Sequence, residues 1–247
     1  MLKDRLVAHR GYQQLYPENT LLAIEKAIEA GAHYIEIDIQ FSSDGVPMIY
    51  HDATLKRVSG IHKDVNRLTA GELVQLTACE PKRFGDQFSD VKISRLSDVL
   101  PLLKKHPEVT LFVEIKEDGI YYLGRQQVLD AIHDVLHPLI GQCILISFDR
   151  EFILLAHQSG WPSVGVVVES WSDLSLSSLK AIHPDYLFIS HKKIPSEGLL
   201  ESNSSAELVV YEIGTAEAAV EWFRRGADMV ESFNIGGLLH DLSHRAL

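Results

Sequence analysis

Short apolar runs typical of β-strands alternate with amphipathic helix signals along most of the chain. This alternation restricts the fold more than any other feature of the sequence. Repeated strand–helix units with short connections predict a parallel sheet with right-handed crossovers, which can be open or closed into a barrel. The eight predicted strands are Leu6–His9, His33–Gln40, Thr110–Ile115, Cys143–Ser147, Val164–Val168, Tyr186–Ile189, Leu208–Tyr211 and Met229–Glu231.

Three connections carry apolar residues at clear helical spacing, bounded by stop or cap signals. They are Leu21–Ala30 followed by Gly31, the Val128–Leu136 segment before Pro138, and the Ala219–Phe223 segment with Thr215 as N-cap and Gly226 as C-cap.

Length and composition agree with a single globular domain over residues 1–247. A (β/α)8 barrel takes about 250 residues, and this chain has 247, of which 46% are hydrophobic. The net charge of −11 argues against a nucleic-acid partner. Cys79 and Cys143 have neither metal-ligand spacing nor a disulfide pattern. Because no signal-peptide core or membrane-length apolar run occurs, we expect a cytoplasmic protein without an integral membrane segment.

A carboxylate pair lies on the second predicted strand. The segment from His33 to Phe41 alternates in hydrophobicity, which places Glu36 and Asp38 on the same face. Asp44-Gly45 predicts a hairpin, with Val46–Tyr50 as the returning strand. A two-residue loop would place position 51 opposite 38, and a four-residue loop would place it opposite 36. Either register predicts that an imidazole faces one of the two carboxylates.

Ionisable residues also end other apolar runs. His9-Arg10-Gly11 lies at the end of the first strand, His51-Asp52 follows the hairpin strand, and Glu114 and Lys116 close the third barrel strand. Charges in such places are costly to bury unless they are paired or bind a metal. Carboxylates hold hard cations, basic side chains neutralise phosphate and imidazoles transfer protons, so the set suits hydrolysis of a phosphate ester.

These motifs, in this order, resemble the glycerophosphodiester phosphodiesterase family. The resemblance is dense from Ala8 to Leu76 and from Leu111 to Lys116, and it includes Pro17-Glu18-Asn19-Thr20 and Ser147-Phe148. It implies a TIM barrel that cleaves small-molecule glycerophosphodiesters to glycerol 3-phosphate and an alcohol, using one divalent cation, Mg²⁺ or Ca²⁺.

The resemblance also implies a role for each matching residue. Glu36, Asp38 and Glu114 would be the metal ligands, His9 and His51 the acid–base pair, and Arg10 and Lys116 the phosphate contacts. The attacking group would be either the adjacent glycerol hydroxyl, giving a cyclic phosphate, or water. Which histidine is the acid and which the base stays open. We expect Glu18 and Asn19 to hold the loop after Gly11, with Asn19 capping the first helix.

The C-terminal half departs from the family pattern at positions expected to face the pocket mouth. Tyr211-Glu212 stands where many members carry Trp, and Glu231-Ser232-Phe233-Asn234 stands in place of Thr-Asp-x-Pro. One hypothesis is that Glu212 or Glu231 favours a cationic head group such as choline or ethanolamine. The alternative is a solvent-facing or structural role.

The segment from Asp52 to Arg95 fits no strand–helix unit. We interpret it as an insertion over the catalytic face, with Gly71-Glu72-Leu73 on a short helix. It could shape the alcohol side of the pocket or serve only as a packing cap.

The remaining histidines show no ligand spacing and are interpreted as surface or structural, with His191 the one expected nearest the site. They are His33, His62, His106, His133, His137, His157, His183, His191, His240 and His244.

Two rival functions share the same scaffold. One is a phospholipase D-like or cyclising enzyme acting on lysolipids, which an exposed apolar collar on the insertion would favour. The other is a catalytically silent phosphodiester-binding protein, which the presence of both histidines and all three carboxylates argues against. A serine hydrolase or a nucleotide-binding protein is unsupported, since no Gly-x-Ser-x-Gly elbow, P-loop or Gly-x-Gly-x-x-Gly occurs.

Overall fold

A computed structural model describes residues 1–175, 177–200 and 205–243, and His244 lies outside these residues. Its strands are β1 (Leu6–Ala8), β2 (Tyr34–Phe41), β3 (Pro47–Ile49), β4 (Ser94–Arg95), β5 (Thr110–Ile115), β6 (Cys143–Ser147), β7 (Val164–Val168), β8 (Tyr186–Ser190), β9 (Glu207–Tyr211) and β10 (Met229–Ser232). Its α-helices are α1 (Leu21–Glu29), α2 (Lys56–Ser59), α3 (Ala70–Leu73), α4 (Pro81–Phe84), α5 (Leu100–Lys105), α6 (Glu117–Leu123), α7 (Arg125–Leu136), α8 (Arg150–Gln158), α9 (Ser177–Ile182), α10 (Ala216–Arg225) and α11 (Ile235–Leu242).

Eight parallel strands close into a barrel, which confirms the TIM-barrel prediction. The order is β1-β2-β5-β6-β7-β8-β9-β10, and β10 returns to β1. Closure is visible at Val7 of β1, which pairs with Tyr34 on one side and Glu231 on the other. The antiparallel strands β3 and β4 extend the sheet beyond β2.

Apolar side chains fill the barrel on both sides of the sheet. Alternate strand residues pack outward against the helices in the main core, and the others fill the interior, as in a packed TIM barrel. Phe112 is central to the interior, with ring centroids 5.0 Å from those of Tyr186 and Phe188. The interior is therefore solid below the carboxyl ends of the strands, and polar side chains at those ends rest on an apolar floor.

The three predicted helices are present, but one predicted cap is wrong. The hydroxyl of Thr20, not Asn19, caps α1 by accepting from the Ala23 amide at 3.1 Å. Thr215 and Gly226 cap α10 as predicted.

The hairpin adopts neither predicted register. Gln40 pairs with Met48, and the Ser42 amide donates to the Val46 carbonyl at 3.1 Å, which leaves a three-residue loop, 43–45. Gly45 adopts a φ of +76°, the left-handed conformation that ends such loops. Position 38 is therefore opposite 50, and His51 lies beyond the end of β3 rather than across from a carboxylate.

The insertion forms a small core together with the hairpin strand β3. Its helix α3 confirms the predicted short helix, and Thr69 and Glu72 form a capping box at its start. The buried members of this core are Met48, Tyr50, Leu55, Val58, Val65, Leu68, Ala70, Leu73, Ala78 and Ile93. Within the described ranges, no helix is long and apolar enough to cross a membrane.

Candidate active site

All seven predicted site residues meet at the carboxyl ends of β1, β2 and β5 and just beyond β3. A pocket of about 160 Å³, here called the inner pocket, opens at this end of the barrel. Glu36 and Asp38 are buried beside it. The lining residues are His9, Arg10, His51, Glu114, Lys116, Phe148, Val167, Phe188, Tyr211, Glu212 and Glu231.

Three carboxylates have the spacing that a cation site requires. Glu36, Asp38 and Glu114 each place an oxygen within 4.8 Å of the others. Oxygens bound to the same Ca²⁺ at about 2.3–2.6 Å lie no more than about 5 Å apart. In addition, Oε1 of Glu36 is buried without a hydrogen-bond partner. The donor set and this unpartnered oxygen therefore fit a hard divalent cation.

The two buried carboxyls of β2 have opposite electrostatic environments. Burial, reinforced by the negative charges of Asp38 and Glu231, raises the pKa of Glu36 well above its usual range. Burial also opposes ionisation of Asp38, but the positive charges of Arg10 and Lys116 outweigh it and hold the pKa of Asp38 well below its usual range. Asp38 is thus a permanent anion. Of the two carboxyls, Glu36 is the one whose ionised form would be stabilised more by a bound cation.

Arg10 links the first loop to the carboxylates. Its amide donates to Glu36 Oε2 at 3.0 Å, its Nη1 donates to Glu18 Oε1 at 2.7 Å, and its Nε lies 3.0 Å from Asp38 Oδ2. The side chain is 14% exposed, so it also faces the pocket. A guanidinium held in this way can meet a phosphate without first being ordered.

Gly11 is required by the way this loop crosses α1. Its φ is +78°, and a Cβ atom would lie 2.6 Å from the carbonyl carbon of Ala23. Only glycine allows both the conformation and the approach.

Asn19 positions the Asp38 carboxylate, a role that the sequence analysis missed. Its Nδ2 donates to Asp38 Oδ2 at 2.8 Å, and its Oδ1 accepts from the Asp38 amide at 3.0 Å. Asn19 has a φ of +53°, a conformation that asparagine tolerates better than most residues. These bonds fix the orientation of a candidate metal ligand.

Lys116 lies against two of the three carboxylates. Its Nζ donates to Glu114 Oε1 at 2.6 Å and to Asp38 Oδ1 at 3.3 Å. Burial opposes the ammonium form, but these two carboxylates outweigh it and raise the pKa of Lys116. The residue is therefore a fixed positive charge at the pocket.

The two histidines differ in their partners. Nδ1 of His9 is buried without a hydrogen-bond partner, and burial together with the Arg10 charge lowers the pKa of His9 to about 3. Nδ1 of His51 lies 2.6 Å from Asp52 Oδ1. His9 is therefore a neutral imidazole at pH 7, whereas the imidazole of His51 is oriented by the Asp52 carboxylate.

Arg57, from α2 of the insertion, joins the loops that carry the two histidines. Its guanidinium donates to both oxygens of Glu18 at 2.6 and 2.8 Å, and to both oxygens of Asp52 at 2.7 and 2.8 Å. Glu18 in turn holds Arg10, and the Glu18 amide donates to Glu80 of the insertion at 2.9 Å. The insertion thus supports the loops that carry both histidines and is more than a remote cap.

A wider outer pocket of about 460 Å³ forms the mouth of the site. As predicted, His191 reaches it, as do Arg83 of the insertion and Phe233. Its lining residues are His9, Arg10, Gln13, Gln14, Arg83, His191, Lys192, Glu212 and Phe233.

The two glutamates of the divergent motifs lie in different places. Glu212 faces the mouth with a φ of +68°, and its carboxylate is ion-paired with Lys192 at 2.8 Å. Glu231 is not at the mouth as expected but in the wall of the inner pocket, where it is 2% exposed. Burial and the nearby charges of Glu114 and Asp38 raise its pKa well above the usual range.

Fold and site together define a (β/α)8-barrel enzyme whose polar groups are suited to a phosphate ester. The model of the "Glycerophosphoryl diester phosphodiesterase family" matches residues 9–157, more than half of the chain. The chain belongs to this family, which confirms the resemblance read from its motifs.

Several known proteins are similar to this chain. An uncharacterized protein of Bacillus subtilis is 38% identical over 129 residues, which cover 52% of each chain. A Bacillus subtilis glycerophosphodiester phosphodiesterase is 29% identical over 222 residues, covering 80% of this chain and 75% of that protein. The solved structure of an Oleispira antarctica phosphodiesterase in complex with its product sn-glycerol-3-phosphate has a TM-score of 0.80 at 22% identity, covering 97% and 96% of the two chains.

Proposed function

We propose that this protein is a phosphoric diester hydrolase that cleaves glycerophosphodiesters to glycerol 3-phosphate and an alcohol. The observation that carries the proposal is the convergence of a carboxylate trio, two half-buried cationic side chains and two histidines on one pocket of about 160 Å³. The substrate class follows the names of the relatives, among them the Bacillus subtilis glycerophosphodiester phosphodiesterase.

Binding of the phosphate would rest on Arg10 and Lys116, whose positive charges both face the inner pocket. Glu36, Asp38 and Glu114 would hold one divalent cation, Mg²⁺ or Ca²⁺, which when bound supplies Lewis-acid withdrawal of charge from a phosphate oxygen. Arg10 would add charge-assisted hydrogen bonds that strengthen as negative charge builds on the phosphate oxygens.

The environments of the two histidines suggest a division of roles. His9 is neutral at pH 7, so it would remove the proton from the attacking hydroxyl. His51, oriented by Asp52 at 2.6 Å, would deliver a proton to the oxygen of the leaving alcohol. Attack by the adjacent glycerol hydroxyl would give a cyclic phosphate, which water then opens with the roles of the histidines exchanged.

The structure of the insertion favours a small diester over a lysolipid. Most apolar side chains of the insertion pack into the core that it forms with β3, and the half-buried Phe84 and Phe88 pack against each other with ring centroids 5.0 Å apart. Among the described residues, the large hydrophobic side chains that are exposed lie outside the insertion, at Met1, Leu15, Tyr121, Tyr122 and Leu199. A silent binding protein is disfavoured because every group needed for proton transfer is present.

Release of glycerol 3-phosphate from glycerophosphocholine by purified variants tests the proposal. We expect His9→Ala and His51→Ala each to lose about 100-fold or more in kcat, the usual contribution of a general acid or base. The control is His157→Ala, an exposed residue of α8, which should retain activity. Full activity in both site variants would refute the assignment.

Other features expected from the sequence stay predictions. These are a single domain over 1–247 with an insertion at about 52–95, a small-molecule partner without nucleic acid, and a cytoplasmic location.

A further inference from the structure

Glu231, in β10, is a buried carboxylate aimed into the barrel. It is 2% exposed, its Oε1 has no hydrogen-bond partner, and it lines the inner pocket. The preceding residue, Val230, packs in the outer core, whereas Met229 belongs to the interior cluster. Strand alternation therefore directs Glu231 inward, one layer above Met229.

The surroundings of Glu231 do not explain a carboxylate as a packing residue. Phe148, Val167 and Phe188 line the same pocket and are apolar. A carboxylate left without a partner among such side chains costs free energy, whereas an apolar residue such as Met229 would not. A partner that is not a side chain would allow Glu231 to keep its negative charge at this position.

The nearby basic side chains are already paired with other carboxylates. Arg10 lies 3.0 Å from Asp38, and Lys116 lies 2.6 Å from Glu114 and 3.3 Å from Asp38. Among the described residues, no basic group forms a salt bridge with Glu231 in this geometry. Arg10, Asp38 and Glu114 are nevertheless close enough to act on it electrostatically.

Glu36 presents the same feature from the other side of β1. Its Oε1 is also buried and unpartnered, and its charge and that of Glu231 repel each other. When Glu212 is set aside because Lys192 pairs with it, the trio and Glu231 give four carboxylates against the two cations Arg10 and Lys116. The excess is two negative charges, the charge that one divalent cation balances.

On these grounds we propose that Glu231 is a fourth carboxylate of the cation site. The inference rests on the cation site of the proposed function. Because Glu231 lies outside the group of oxygens within 4.8 Å, it would accept a hydrogen bond from water carried by the cation instead of binding the ion directly. Its role is to strengthen cation binding from the β10 wall, in addition to the trio.

Titration calorimetry of the metal-free protein with CaCl₂ and with MgCl₂ tests this role without measuring activity. Loss of a group that supports metal ligands from outside the coordination sphere costs about 10- to 100-fold in affinity. We therefore expect Glu231→Gln to weaken both Kd values about 10-fold or more. Thermal melts of metal-free protein show whether the variant folds, and we expect its Tm to be at or above that of wild type, because an unpaired buried charge is removed.

Glu212→Gln is the matched control for this affinity measurement. It removes the same charge from the same pocket, but its carboxylate is paired with Lys192 and partly exposed. We expect its metal Kd values to stay within about 3-fold of wild type, since exposed charges are screened. An equal loss of metal affinity in both variants would overturn the inference, because it would show that any negative charge near the pocket strengthens cation binding to the same degree.

Two further outcomes would also overturn it. One is an unchanged metal affinity in folded Glu231→Gln protein. The other is the same unchanged metal affinity accompanied by an altered preference between glycerophosphocholine and glycerophosphoinositol. In that case Glu231 would contact the head group of the substrate and not support the cation. If wild type shows Glu231-dependent Ca²⁺ binding but hydrolyses no glycerophosphodiester, the proposed function fails and this inference stands.

Discussion

Replacing Asn19 tests how the structure holds Asp38. The side chain makes two buried hydrogen bonds to that residue, at 2.8 Å to the carboxylate and 3.0 Å to the amide. A hydrogen bond to a charged group contributes about 1.5–3 kcal/mol, and an unsatisfied buried amide costs about 1–3 kcal/mol. Deleting the side chain should therefore lower the free energy of unfolding by roughly 3 to 5 kcal/mol.

Two substitutions of Asn19 separate the effect of the lost hydrogen bonds from the effect of backbone strain. Its φ is +53°, which glycine adopts freely and alanine does not. We expect Asn19→Gly to show the loss of hydrogen bonds alone, and Asn19→Ala to be less stable by a further 1 kcal/mol or so. Both variants should also bind Ca²⁺ about 10-fold or more weakly, because Asp38 loses its support.

Urea unfolding of metal-free wild type, Asn19→Gly and Asn19→Ala measures these differences, and calorimetry measures the affinities. If both variants unfold with the wild-type free energy, the bonds to Asp38 contribute nothing and the account of this loop is wrong. If stability falls but Ca²⁺ affinity does not, Asn19 is structural and does not position a ligand.

Three further predictions concern the loops around the site. In urea unfolding, Gly11→Ala should lose about 2–4 kcal/mol of unfolding free energy, because its Cβ would meet the backbone of α1. The control Gly31→Ala has open space around its Cβ and should lose only about 1–2 kcal/mol. Equal losses in the two variants would contradict this prediction. Burial opposes ionisation of Glu18, but its hydrogen bonds and charge pairs with arginines outweigh burial and lower its pKa to about 2, below its usual value of 4.5. The stabilisation of the fold by ionised Glu18 is therefore complete above pH 4.5 and is lost towards pH 2. Between these pH values, the free energy of unfolding in urea should fall by roughly 3 kcal/mol more in wild type than in Glu18→Gln. Parallel pH profiles of the two proteins would refute this prediction. Asp52→Asn should lower kcat for hydrolysis about 100-fold with little change in KM, and an unchanged kcat would show that Asp52 does not assist His51.

The alternation of strands and helices and the positions of the site residues could be predicted because their signals are local, whereas closure into a barrel was implied by the resemblance to the family. Apart from Glu36 and Asp38, which lie on β2, the site residues end or follow short apolar runs, and parallel strands bring such ends to the same edge of a sheet. Glu36 and Asp38 share a face because of strand alternation alone. The helix α8 had a local signal that was overlooked, since the side chain of Asp149 caps it and apolar residues follow at helical spacing.

What the sequence analysis missed depends on contacts between distant segments. The Asp44-Gly45 signal allows several loop lengths, and the three-residue form is stabilised by the Ser42 hydroxyl, which accepts from the Val46 amide at 2.9 Å. Arg57 is separated by 39 residues from its partner Glu18, and no local pattern connects them. The interior position of Glu231 depends on the register of β10 with β1, in which Glu231 pairs with Val7.

Metal dependence of the hydrolysis itself is the most direct test of the central claim. Protein stripped with EDTA is assayed for glycerol 3-phosphate release from glycerophosphocholine before and after addition of Mg²⁺ or Ca²⁺. The account predicts release that disappears on stripping, returns with one of these ions, and does not return in Asp38→Asn, which removes a carboxylate of the trio. Undiminished release from stripped, folded protein would contradict the cation site on which the account depends.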